Sequence, residues 1–80
     1  MPVNRAQTVT FIYRAAGSPE VTGDIFRFTD LDPEFYYVDA IGWAVANGIT
    51  NGTSENTFSP EADCTRAQIV TMLYRYMSIV

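Results

Sequence analysis

Residues 4–14 read NRAQTVTFIYR and residues 65–75 read TRAQIVTMLYR. Seven of the eleven positions are identical at an offset of 61, and Phe11/Met72 and Ile12/Leu73 are apolar exchanges. Chance does not produce this agreement within 80 residues. The chain is therefore built on a repeat: residues 1–23 hold the tail of one copy plus a linker, and residues 24–80 hold a whole second copy. Repeats of this length bury their apolar faces against neighbouring repeats, so a lone unit tends to leave such a face open.

Both copies start a helix in the same way. Thr65-x-x-Gln68 is a capping box, in which the hydroxyl accepts from the Gln68 amide and the Gln side chain reaches back. Asn4-x-x-Gln7 is the same device with Asn at the cap. Val9, Ile12, Tyr13 and Ala16 then share one helical face, and Ile69, Val70, Leu73 and Met77 do so in the second copy. Gly17-Ser18-Pro19 ends the first helix. Between them, Asp32 as cap, Pro33 at the first helical position and the stripe Tyr37, Ala40, Ile41, Ala44, Val45 predict a third helix, stopped by Asn47-Gly48. The expected fold is all-α: helices near 4–16, 33–47 and 65–77, joined by long connections. Phe26, Phe28, Ile49 and Phe58 should anchor those connections, Asn51-Gly52 should make a tight turn, and residues 57–59 a short extended piece.

Composition narrows the function. The net charge is −4 with no Lys and no His, which gives no electrostatic footprint for nucleic acid. No apolar run approaches the roughly 18 residues that span a membrane. No secretory leader is expected, because residues 2–7 open directly into a helical pattern, although an exported protein can contain this segment. All five cations are Arg, and four of them (Arg5, Arg14, Arg66, Arg75) belong to the repeated motif. Cys64 is alone, so it forms no internal disulfide, and it reads as a buried free thiol.

Five separated motifs now stand in order: FTDL at 28–31, YYVDAI at 36–41, WAVANGIT at 43–50, TFSP at 57–60 and TRAQ at 65–68. Together they resemble one repeat of the S-layer homology family, and residues 4–14 resemble the end of a preceding repeat. The resemblance implies a helical, pseudo-threefold assembly of three repeats on the bacterial cell surface. It also implies a non-catalytic module that anchors proteins to the wall by binding anionic, often pyruvylated, secondary cell-wall polysaccharide in grooves between repeats. Thr65 and Arg66, with Arg5 in the earlier copy, match the family's Thr-Arg-Ala-Glu motif. Gln68 and Gln7 stand where Glu is usual, and Asn4 where Thr is usual.

Each candidate residue has a second reading. Thr65, Arg66 and Gln68 are either a helix start only or an anion site. Helix N-terminal amides attract anions, and an Arg fork fits the carboxylate of a pyruvyl ketal. Arg5 repeats that choice. Arg14 and Arg75, in the last turns, are expected to complement helix dipoles. Tyr37 reads as core, whereas Trp43, offset from the apolar stripe, is expected to be partly exposed and available to a sugar face. Asp30, Asp32 and Glu34 alternate like the start of a calcium loop, but Phe35 occupies the required Gly position, so no metal and no cofactor are expected. The glycan-binding set is thus Arg66, Thr65, Arg5, Trp43 and Gln68. The expected partners are wall polysaccharide and adjacent repeats, with a homo-oligomer as an option. The competing reading is a protein-interaction or self-assembly module that uses the exposed repeat faces. An enzyme is the weakest reading, because there is no His, no Lys, no Ser in a nucleophile setting and no Gly-rich phosphate loop.

Overall fold

The computed structural model describes residues 3–21, 28–32 and 34–79. Among the described residues there are three helices, α1 (Arg5–Ala15), α2 (Val38–Ala46) and α3 (Arg66–Ile79), and no strand beyond an isolated bridge between Asn4 and Asp63. The all-α expectation holds; Phe26 and Pro33 lie outside the described residues.

Both capping boxes form. Asn4 accepts from the Gln7 amide at 2.7 Å and Gln7 accepts from the Asn4 amide at 2.9 Å. Thr65 and Gln68 repeat the pair at 3.2 and 2.8 Å. α1 ends as its sequence demands: Gly17 (φ 89°) and Ser18 (φ 51°) both turn left-handed, and their amides donate to Arg14 and Tyr13 carbonyls. Gly48 (φ 71°) terminates α2 in the same manner, with the Ile49 amide donating to the Ala44 carbonyl.

α2 starts five residues later than expected. Asp32 does cap, but it caps a turn: its Oδ1 accepts from the Glu34 amide at 2.9 Å. The chain continues in turns closed by Phe35 N–H on Asp32 O and Val38 N–H on Phe35 O, and the helix begins only behind Tyr37, without a side-chain cap. An Asp side chain satisfies a local turn as readily as a helix start, and here the turn wins. It packs the rings of Phe35 and Tyr36 at 5.4 Å from Tyr37.

The core gathers Val9 and Ile12 of α1, Ala40, Ile41 and Ala44 of α2, and the loop residues Phe28, Ile49 and Phe58. The loops are tied by backbone groups rather than by sheet. Asp30 accepts the amides of Phe58 and Ser59 on its two carboxylate oxygens, at 2.9 and 2.7 Å, and Thr29 N–H donates to the Asn56 carbonyl. The tight turn falls at residues 53–57, where Thr53 and Ser54 amides share the Thr57 carbonyl, rather than at Asn51-Gly52. Gly52 is needed for a different reason. A Cβ there would collide with the Thr57 carbonyl and stand 2.5 Å from Phe28 Cε1. Cys64 is buried and free, as expected.

α3 corrects two further expectations. It runs on to Ile79, so Arg75 is not in its last turn, whereas Arg14 is in that of α1. Its inward face is Ile69, Met72 and Tyr76, while Val70, Leu73 and Met77 are exposed.

Candidate functional site

The two copies of the Arg-Ala-Gln motif share a local fold and differ in surroundings. The start of α1 lies against residues 58–64: the Arg5 and Ala6 amides donate to Ala62 and Pro60 carbonyls, and the Cys64 amide donates to the Val3 carbonyl. The Arg5 side chain is buried and turned inward. Nε donates to the Phe58 carbonyl at 3.0 Å and Nη2 to the Asn51 carbonyl at 2.6 Å, with the guanidinium 4.7 Å from the Phe58 ring centroid. Burial lowers the Arg5 pKa, a shift opposed by the nearby Cys64. Its third nitrogen, Nη1, has no hydrogen-bond partner among the described residues.

At α3 the same motif is open. Thr65, Arg66 and Gln68 are exposed, and Arg66 has no partner among the described residues. The amides of Arg66 and Ala67, whose α1 counterparts are paired, are unpaired among the described residues. The structure thus brings Thr65, Arg66 and Gln68 together at one helix end and sets Arg5 apart as a loop clamp.

Trp43 departs from its expected exposure. It is 6% exposed, wedged between Tyr13 (ring centroids 5.5 Å apart) on α1 and Tyr76 (5.9 Å) on α3. Its offset from the α2 stripe points it at two other helices, not at solvent. Tyr37 is core, as expected. Tyr36 is exposed and, with Gln7, Thr10, Phe11 and Arg14, lines an open hollow of about 250 Å³. Sequence reasoning passed over Arg14 here, having assigned it to the helix dipole.

A second cleft, of about 400 Å³, is lined by Asp30, Asp32, Tyr37, Ser59 and Glu61. Burial pushes the Tyr37 phenol up; a hydrogen bond with the Asp32 backbone opposes this, and the charges of Asp32, Glu61 and Asp30 add to it. The cleft is acidic and repels anions, and Asp30 is already satisfied by backbone amides. No group of three or more His, Cys, Asp or Glu among the described residues is placed to hold a metal, and no helix among them is long and apolar enough to cross a membrane.

These features define a small helical repeat module whose motif is displayed once filled and once open. The family model for the S-layer homology domain matches residues 27–70, and the chain belongs to that family, a class of cell-surface anchoring modules. It is also similar to the surface-layer 125 kDa protein of Lysinibacillus sphaericus, 35% identical over 71 residues. Those residues cover 89% of this chain but only 6% of that protein's length. No solved structure matches the chain.

Proposed function

We propose that the chain is a non-catalytic anchor that binds anionic, pyruvylated secondary cell-wall polysaccharide. Residues 24–80 serve as one complete repeat and residues 1–23 as the end of another. The observation that carries this reading is Arg66: a guanidinium, exposed and unpaired among the described residues, at the first position of a capped helix. Its planar fork suits the ketal carboxylate, and the unpaired amides of Arg66 and Ala67 add to the attraction. Thr65 and Gln68 fix the helix end from which Arg66 projects. Arg5 contributes indirectly, by clamping the loop carbonyls of Phe58 and Asn51 beneath α1. Trp43 contributes indirectly, by holding the helices, while Tyr36 offers an exposed ring face for a sugar beside Arg14.

The test is titration of the chain with purified polysaccharide, before and after chemical removal of the ketal. Arg66→Ala should weaken binding to the intact polymer by roughly ten- to a hundredfold, as expected for one charge-assisted contact. It should leave binding to the stripped polymer unchanged. Equal affinity of folded wild type and variant for intact polymer would overturn the assignment. The exposed apolar residues of α3 favour a second, compatible role in self-assembly, with a homo-oligomer as its simplest product.

A further inference from the structure

The chain holds two Asn-Gly pairs, Asn47-Gly48 and Asn51-Gly52, and both asparagines are exposed. In such a pair the glycine nitrogen can approach the asparagine Cγ with no Cβ in its way. The structure treats the two pairs differently. At Asn47 the side-chain nitrogen donates to the Trp43 carbonyl at 2.8 Å, and the Gly48 amide donates to the Val45 carbonyl at 3.2 Å. Both nitrogens are therefore held. At Asn51 neither the side chain nor the Gly52 amide has a hydrogen-bond partner among the described residues. The anchored group there is the carbonyl of the peptide that joins them. Asn51 O accepts from Arg5 Nη2 at 2.6 Å and from Thr50 Oγ1 at 3.3 Å.

We infer that Asn51-Gly52 is a self-modification site, at which the Gly52 nitrogen displaces ammonia from the Asn51 side chain, promoted by the Arg5 guanidinium. The step begins when hydroxide takes the Gly52 amide proton. Peptide resonance places part of the resulting negative charge on Asn51 O, the atom to which Arg5 donates. A cation already in place at that oxygen stabilises the charge as it develops. The Gly52 nitrogen then bonds to Asn51 Cγ, the Cγ–Nδ2 bond breaks, and Nδ2 leaves as ammonia with a proton from water. A five-membered succinimide remains. Water opens it at Cγ to give an aspartyl residue, or at the main-chain carbon to give an isoaspartyl residue whose chain runs on through Cγ. The net change consumes water and releases ammonia. The isoaspartyl backbone carries an extra methylene before Gly52. Gly52 has no room to yield, since even a Cβ on it would collide with the Thr57 and Ser54 carbonyls and the Phe28 ring. The isoaspartyl product therefore loosens the loop that Arg5 clamps, whereas the aspartyl product leaves the backbone as it was. The inference does not rest on the polysaccharide reading, and its test contains no polysaccharide.

The experiment incubates the 80-residue chain at mildly alkaline pH, folded and in parallel in guanidinium chloride. Peptide mapping by mass spectrometry follows both asparagines and separates aspartyl from isoaspartyl product. Folding should slow conversion at Asn47 by roughly ten- to a hundredfold, because its two hydrogen bonds must break first. Conversion at Asn51 should not be slowed by folding, and it should quicken as pH rises and the Gly52 proton is taken more readily. The isoaspartyl form, isolated by chromatography, should melt roughly 5 °C below the Asn51→Asp protein, which reproduces the other product. Protection of Asn51 by folding, or an isoaspartyl form that melts with the Asn51→Asp protein, would overturn the inference.

Discussion

Replacing the buried Arg5 by Ala should be strongly destabilising, although its motif reads like that of the exposed Arg66. The change removes two charge-assisted hydrogen bonds, to the Phe58 carbonyl at 3.0 Å and the Asn51 carbonyl at 2.6 Å, and the contact with the Phe58 ring. Hydrogen bonds to charged groups are worth about 1.5–3 kcal/mol each, and a desolvated cation over a ring adds about 1–2 kcal/mol. These terms share one side chain and do not add fully; part of the loss is regained if water reaches the vacated carbonyls. A net loss of about 3–5 kcal/mol follows. A domain of 80 residues has only roughly 4–12 kcal/mol of stability in all, so the variant should be marginally folded. Urea unfolding followed by Trp43 fluorescence measures the loss directly, since Trp43 lies between α1 and α3. Arg5→Lys should recover less than half of it, and Arg66→Ala in the same chain should change stability by less than about 0.5 kcal/mol. A loss below about 1 kcal/mol for Arg5→Ala would refute the clamp.

Gly52→Ala should destabilise by about 2 kcal/mol or more, because the added methyl meets backbone at Thr57 and the ring of Phe28; thermal unfolding reads this. Asp30→Ala leaves the Phe58 and Ser59 amides without their carboxylate and should lose about 2–3 kcal/mol, measurable by urea denaturation. Thr65→Ala removes only a cap at an exposed helix start and should lose about 1 kcal/mol of stability, whether or not polysaccharide is present.

The capping boxes, the Gly stops and the buried Cys64 were legible because each rests on a local chemical preference. The start of α2 was not, since Asp32 serves a turn and a helix equally well. The inward face of α3 was ambiguous for a different reason. Ile69, Met72 and Tyr76 and the set Val70, Leu73 and Met77 are both apolar, and only the arrangement of α2 decides which is covered. Trp43 was misjudged because its contacts come from helices far away in sequence. Arg5 and Arg66 stand in the same Arg-Ala-Gln motif, and no property of it tells that one is enclosed and the other free. The acceptors of Arg5 are backbone carbonyls, which carry no side-chain signature at all.

The burial of Cys64 has a practical consequence. Its amide is bonded to the Val3 carbonyl, next to the bridge between Asn4 and Asp63, so the buried Cys64 sits where the segment leading into α1 meets the loop before α3. A reagent such as a maleimide reaches a buried thiol only through a local opening of the structure around it. When opening and closing are fast compared with the reaction, the labelling rate is the rate for an exposed thiol scaled by the fraction of time the site is open. Cys64 thus acts as a built-in gauge of how often the junction between the α1 lead-in and the loop before α3 opens, readable by mass spectrometry without altering a single residue.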